Sequence, residues 1–149
     1  MPSDIRGYLR FMKFVDACNL DASHPGVSNS PNPPLVIHCS AGVGRTGTFL
    51  ALSSIFRYHN LNQPRVASSY LRIVPHPEKL PPALPPSALG KLEERFKNDL
   101  IALEIDSLRD QRPMMVQTAE QVRFIYVTFL AAWRLAIETE ETEAEDAQK

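Results

Sequence analysis

Two cysteines, one tryptophan and no long apolar run mark what this 149-residue sequence does without. Cys18 and Cys39 are too few to staple a disulfide scaffold, which points to a reducing, cytoplasmic setting. No stretch approaches the roughly 18 consecutive apolar residues a membrane helix needs, so no membrane partner is expected. The opening MPSDIRGYLR mixes acid with base and offers no small-residue cleavage site, unlike a secretory signal. Charge of one sign is also missing: 16 basic against 17 acidic residues leave a net −1, far from a nucleic-acid binder.

The balance hides an asymmetry. Six of the acids (Glu138, Glu140, Glu141, Glu143, Glu145, Asp146) lie in the last twelve residues, so residues 1–137 carry a net +4. A mildly positive body suits an anionic substrate. The tail 138–149 has no apolar face to bury and reads as a solvated, disordered end. At 44% hydrophobic and 22% charged the rest is an ordinary globular composition, sized for one domain.

Along the chain, Ile5, Tyr8, Leu9, Met12, Val15 and Cys18 share one helical face, with Ser3 or Asp4 as cap. Turn formers fill 21–34. LVIHC, 35–39, is a short apolar run of the kind found in a strand buried on both faces. TGTFLALSSIFRYHN returns to helical spacing. Prolines at 75, 77, 81, 82, 85 and 86 forbid helix and central strand, making that stretch an extended connector. SALGKLEERF, DLIALEIDSLR and QTAEQVRFIYVTFLAAWRLAI read as helices, the last opened by Thr118 and Gln121 at capping-box spacing. The fold class is α/β by one strand only: a short buried strand, a phosphate-binding loop and helix, and otherwise mostly helices.

The chemistry gathers in VIHCSAGVGRTGTF. A strand, a glycine-rich turn and a helix start collect backbone N–H groups into a concave anion site. Gly42, Gly44 and Gly47 let the backbone curl closely, and Arg45 adds a planar fork matched to phosphate oxygens. A thiol at the floor of such a bowl ionises near neutral pH and becomes a nucleophile. The bland alternative, a buried structural thiol, suits Cys18 on its apolar helical face better than Cys39. His24, His59 and His76 form no metal-like constellation and read as surface residues.

HCSAGVGRTGTF resembles the signature loop of the protein tyrosine phosphatases. MMVQTAEQVRFIY looks like that family's glutamine loop, and DLIALEIDSLRDQRP like the helix leading into it. The resemblance implies that residues 1–137 form the C-terminal part of a phosphatase catalytic domain, with 75–90 as a proline-rich insertion. It implies Cys39 as the nucleophile that becomes phosphocysteine, and Arg45 as the phosphate ligand. Thr46 would help the sulfur leave, His38 would hold the loop, and Gln117 and Gln121 would place the hydrolytic water. The amides of Ser40, Ala41, Gly42, Val43, Gly44 and Arg45 would line the phosphate site. No cofactor or metal is implied, because the loop supplies the positive field; the partner is a phosphotyrosine-containing protein.

The family's general acid, an aspartate in a Trp-Pro-Asp loop, would fall ahead of Met1, and the sequence's one tryptophan, Trp133, lies elsewhere. Asp4 reads as a helix-start residue rather than its substitute. Weakened turnover is the expectation, since a general acid contributes about 10²–10⁴-fold. A non-catalytic phosphate-binding or regulatory fragment stays open as the alternative, and dual specificity is disfavoured by the glutamine loop. Pro82 and Pro85 make a PxxP that could dock an SH3-type groove, though a plain linker is the better reading.

Overall fold

The computed structural model describes residues 4–20, 35–59, 61 and 92–146, and four α-helices account for most of them. Helix α1 runs Ile5–Leu20, α2 Gly44–Tyr58, α3 Leu100–Gln111 and α4 Ala119–Asp146. Helix α2 packs on both α3 and α4, and α1 lies on α4.

Each start has a local cause. Asp4 Oδ1 accepts from the Gly7 N–H at 2.8 Å, so Asp4 caps α1. Asp99 caps α3, one carboxylate oxygen accepting from both Ile101 N and Ala102 N at 3.0 Å. At α4 the Thr118 hydroxyl accepts from Gln121 N at 3.3 Å while Gln121 Oε1 accepts from Thr118 N at 3.2 Å, the reciprocal capping box its spacing predicts. Helix α2 has no side-chain cap at Val43, which leaves its first amides for another partner. Pro113 ends α3 by pushing Arg112 into extended backbone.

Apolar residues from all four helices share one core. Leu9 and Met12 of α1 meet Ala51, Leu52, Ile55 and Phe56 of α2, Ile101 and Ile105 of α3, and Phe124, Ile125 and Ala132 of α4, with Val116 between α3 and α4. Burying a side chain the size of Leu52 or Ile125 contributes about 1.5–3 kcal/mol. Tyr8 stands edge-on to Phe124, ring centres 5.0 Å apart, tying α1 to α4.

Three expectations change. The buried strand at 35–39 is absent: the segment has no regular secondary structure, with Val36 93% and Leu35 40% exposed. A strand buried on both faces needs neighbours to take its hydrogen bonds, and among the described residues there is no other strand. Of SALGKLEERF, the described part holds a single 3₁₀ turn, Glu94–Phe96, which buries nothing; without an apolar face a helix there has nothing to pack. Helix α4 does not stop near Ile137 but carries the acidic stretch to Asp146. Glu and Ala are good helix formers, no Gly or Pro interrupts, and the Thr139 and Thr142 hydroxyls donate to the carbonyls four residues back.

The loop 21–34, the proline-rich 75–90 with Pro82 and Pro85, and Ser3, His24 and His76 lie outside the described residues. None of the described helices is long and apolar enough to cross a membrane.

Candidate active site

Cys39 ends the irregular segment 35–39, and residues 40–43 bend into α2. Gly42 takes φ +68°, the left-handed region where a side chain is strained, so this position favours glycine. The backbone N–H groups of Thr46, Gly42 and Val43 act on the Cys39 sulfur together with the Thr46 hydroxyl. The Thr46 hydroxyl is the largest influence, followed by the Thr46 amide; desolvation opposes them, and the thiol is lowered to about 6. Every group that lowers it is a hydrogen-bond donor rather than a cation. This is how the uncapped start of α2 spends its amides.

Thr46 Oγ1 is buried and meets no partner within hydrogen-bonding distance, although it dominates the thiol. A thiolate at Cys39 is the strong acceptor that would satisfy this hydroxyl, which a neutral thiol accepts from only weakly.

Arg45 is exposed at the mouth, its Nη2 donating to Ser40 Oγ across the loop at 3.2 Å. Ser40 and Ala41 are exposed, Val43 and Gly44 buried. His38 is exposed beside Cys39.

The turn before α4 closes on this loop. Val43 O accepts both from Gly47 N within α2 and from Val116 N, each at 3.1 Å. Gln121 Oε1 accepts from Gln117 N at 2.7 Å, and its Nε2 lies 2.7 Å from where a Gly44 Cβ would stand. Gly47 is required by close approach of backbone in the turn before α4, whereas Gly44 faces only the tip of the Gln121 side chain; the sequence suggests backbone curl for both. The structure brings together Cys39, Ser40 to Thr46, Gln117 and Gln121.

Sequence reasoning passed over two arginines. Arg109 donates from Nε to Met115 O and from Nη2 to Val116 O, both at 2.9 Å. It clamps a turn in which Met114 (φ 69°) and Val116 (φ 57°) are both left-handed, an uncommon conformation for Met and an outlier for β-branched Val. Arg112 donates from Nη2 to Ala41 O at 3.2 Å. His59 also departs from a plain surface residue: its ring lies 5.5 Å from Phe129 and 5.4 Å from Trp133. Cys18 is half-buried on α1. Among the described residues no cluster of three or more His, Cys, Asp or Glu could hold a metal ion.

An acidic thiol under converging amides, with a guanidinium across the mouth, can hold a tetrahedral oxyanion and present sulfur to its centre. The family model described as protein-tyrosine phosphatase matches residues 1–74. Among curated proteins, rat tyrosine-protein phosphatase non-receptor type 21 (Rattus norvegicus) is 31% identical over 142 residues, 90% of this chain and 9% of that protein. Tyrosine-protein phosphatase 1 of Saccharomyces cerevisiae is 35% identical over 108 residues, 70% of this chain and 26% of its own. Tyrosine-protein phosphatase 2 of Dictyostelium discoideum is 30% identical over 140 residues, 94% and 27% respectively. The chain thus spans at most about a quarter of the length of these relatives. No solved structure matches it.

Proposed function

The chain belongs to the protein-tyrosine phosphatase family, and on that premise we propose that it hydrolyses phosphotyrosine in proteins through a phosphocysteine intermediate. The observation that carries this reading is the Cys39 thiol, held at about 6 by Thr46 and the loop amides. At neutral pH the sulfur is a thiolate facing the place a phosphate would occupy.

In the first step Cys39 Sγ attacks phosphorus, an S–P bond forms, the P–O bond to the tyrosyl oxygen breaks, and the phenolic oxygen leaves with the electron pair. Arg45 releases Ser40 and takes two phosphoryl oxygens, while the amides of residues 40–45 hold the third. In the second step a water placed by Gln117 and Gln121 attacks phosphorus, and the sulfur departs as a thiolate. Thr46 makes that departure easy by the same donation that lowers the thiol. His38 supports the backbone of Cys39.

Turnover by this chain alone is weak in this reading. Among the described residues Asp4 is committed to capping α1 and no carboxylate acts on the thiol, so none of them is placed as a proton donor beside it. Lack of general acid costs about 10²–10⁴-fold, least for substrates with good leaving groups. Those same observations favour the second reading, a phosphate-binding or regulatory chain that captures phosphotyrosine without appreciable turnover.

Hydrolysis of p-nitrophenyl phosphate by the purified chain, beside Cys39→Ser, tests the proposal. The parent should release nitrophenol and the variant none; equal rates would remove Cys39 as nucleophile. Capture of a phosphotyrosine peptide by both proteins, with no turnover by the parent, would favour the second reading.

A further inference from the structure

Arg112 sits just past the end of α3, remote in sequence from the cysteine loop, yet its guanidinium lies directly on that loop. Nη2 donates to the Ala41 carbonyl at 3.2 Å. Nη1, Nη2 and Cζ would stand 3.1, 3.4 and 3.5 Å from a Cβ on Gly42, so the side chain covers the open side of that glycine. Among the described residues no carboxylate pairs with Arg112. Its backbone is fixed from both sides: Arg112 N donates to Leu108 O at 2.9 Å, and Pro113 holds it extended.

The Ala41 carbonyl and the Gly42 N–H belong to one planar trans peptide and point in opposite directions. Holding the carbonyl outward therefore aims the N–H inward, and that N–H is one of the donors acting on the Cys39 sulfur. This peptide is also the one in the loop least able to hold its own orientation. Gly42 is at φ +68°, and glycine passes between positive and negative φ at little cost. A peptide flip there would turn a carbonyl oxygen toward the sulfur and remove a donor.

We propose that Arg112 is a positioning residue for the phosphate loop: its guanidinium locks the Ala41–Gly42 peptide with the carbonyl outward and the Gly42 N–H toward Cys39. The inference rests on the phosphatase reading, since the locked amide would also bind the phosphoryl group. Among the described residues the charged or titratable groups around the loop include His38 beside Cys39, Arg45 in the first turn of α2, Arg109 on the turn that bonds Val43, and Arg112 itself. Arg45 bonds to the Ser40 side chain and leaves the backbone of 41–42 to Arg112.

Alkylation of the 149-residue chain by iodoacetamide, an uncharged reagent, followed against pH at the Cys39 peptide by mass spectrometry, tests this. The parent should show a midpoint near 6. Arg112→Ala should raise it by roughly one unit, slowing alkylation at pH 6 about fivefold. Arg112→Gln has no charge but keeps a donor for the Ala41 carbonyl, and should stay closer to the parent than to Ala. Equal midpoints for parent and Arg112→Ala, at unchanged far-ultraviolet circular dichroism, would overturn the proposal. So would Gln behaving as Ala does, which would make the effect one of charge alone. If Arg112→Ala unfolds, Arg112→Met keeps the aliphatic stem and takes its place. A parent midpoint like that of free cysteine would sink the phosphatase reading as well; a low parent midpoint unmoved by Arg112→Ala sinks only this inference.

Discussion

Gly47 and Val116 approach so closely that a Cβ on Gly47 would stand 2.5 Å from the Val116 backbone nitrogen, with Met115 C and Cα at 3.2 and 3.3 Å. The obstacle is backbone that is itself bonded to Val43 O, so it cannot swing aside as a side-chain tip could. Gly47→Ala should force α2 and the turn before α4 apart, costing about 1–3 kcal/mol, the usual range for overpacking. The urea midpoint should fall, and because the same contact seats the cysteine loop, the Cys39 thiol should become less acidic. An alanine variant with the parent's stability would mean that the two backbones do not meet as described.

Cys39 couples stability to pH with a definite sign. Its folded thiol is lowered to about 6 from an ordinary 9.0, so between those values the unfolded chain binds more protons than the folded one. Stability from this group is therefore fully present above about 9 and is lost as pH falls through 6. Urea unfolding at pH 5.5 and 8.5 should show the parent gaining more over that interval than Cys39→Ser. An identical gain in both would leave no room for a thiolate held by Thr46 and the loop amides.

How far the sequence speaks for itself differs between elements for physical reasons. Helices α1, α3 and α4 were legible because their starts are written locally, in Asp4, Asp99 and the Thr118–Gln121 pair, and their faces recur at helical spacing. The cysteine turn was legible because glycines, a thiol and an arginine rarely crowd together without a reason. The segment 35–39 misled because apolarity reports burial, and burial depends on neighbours that a local pattern cannot supply. Arg109 and Arg112 were illegible for the opposite cause. Each acts on backbone carbonyls, and a carbonyl acceptor leaves no trace in residue identity.

Asp99 serves two partners at once. One oxygen caps α3, and the other accepts from the Tyr126 hydroxyl on α4. Asp99→Ala removes a cap worth about 0.5–2 kcal/mol and strands a half-buried phenol. Tyr126→Phe removes only the interhelical bond and should cost about 1 kcal/mol. The double variant should be less unstable than the sum of the two, and the shortfall, measured by chemical unfolding, is the coupling between α3 and α4. Strict additivity would show that the Tyr126–Asp99 bond contributes nothing in solution.

The chain should also fail at high pH, from the opposite direction to Cys39. Burial against Phe124 raises Tyr8 to about 12, and burial followed by the Asp99 hydrogen bond raises Tyr126 to about 12. Both folded values exceed the ordinary 10.0, so the fold favours the neutral phenols. Their contribution is complete below about 10 and disappears as pH climbs through 12. Unfolding followed by circular dichroism should show stability falling steeply across that window in the parent. Tyr8→Phe should flatten most of the fall, because Tyr8 is the more deeply packed ring and its phenolate would have to form against apolar neighbours. Spectroscopic titration should find these two phenols ionising together with unfolding. If Tyr8 ionises near 10 with the helices intact, it is not packed where α1 meets α4.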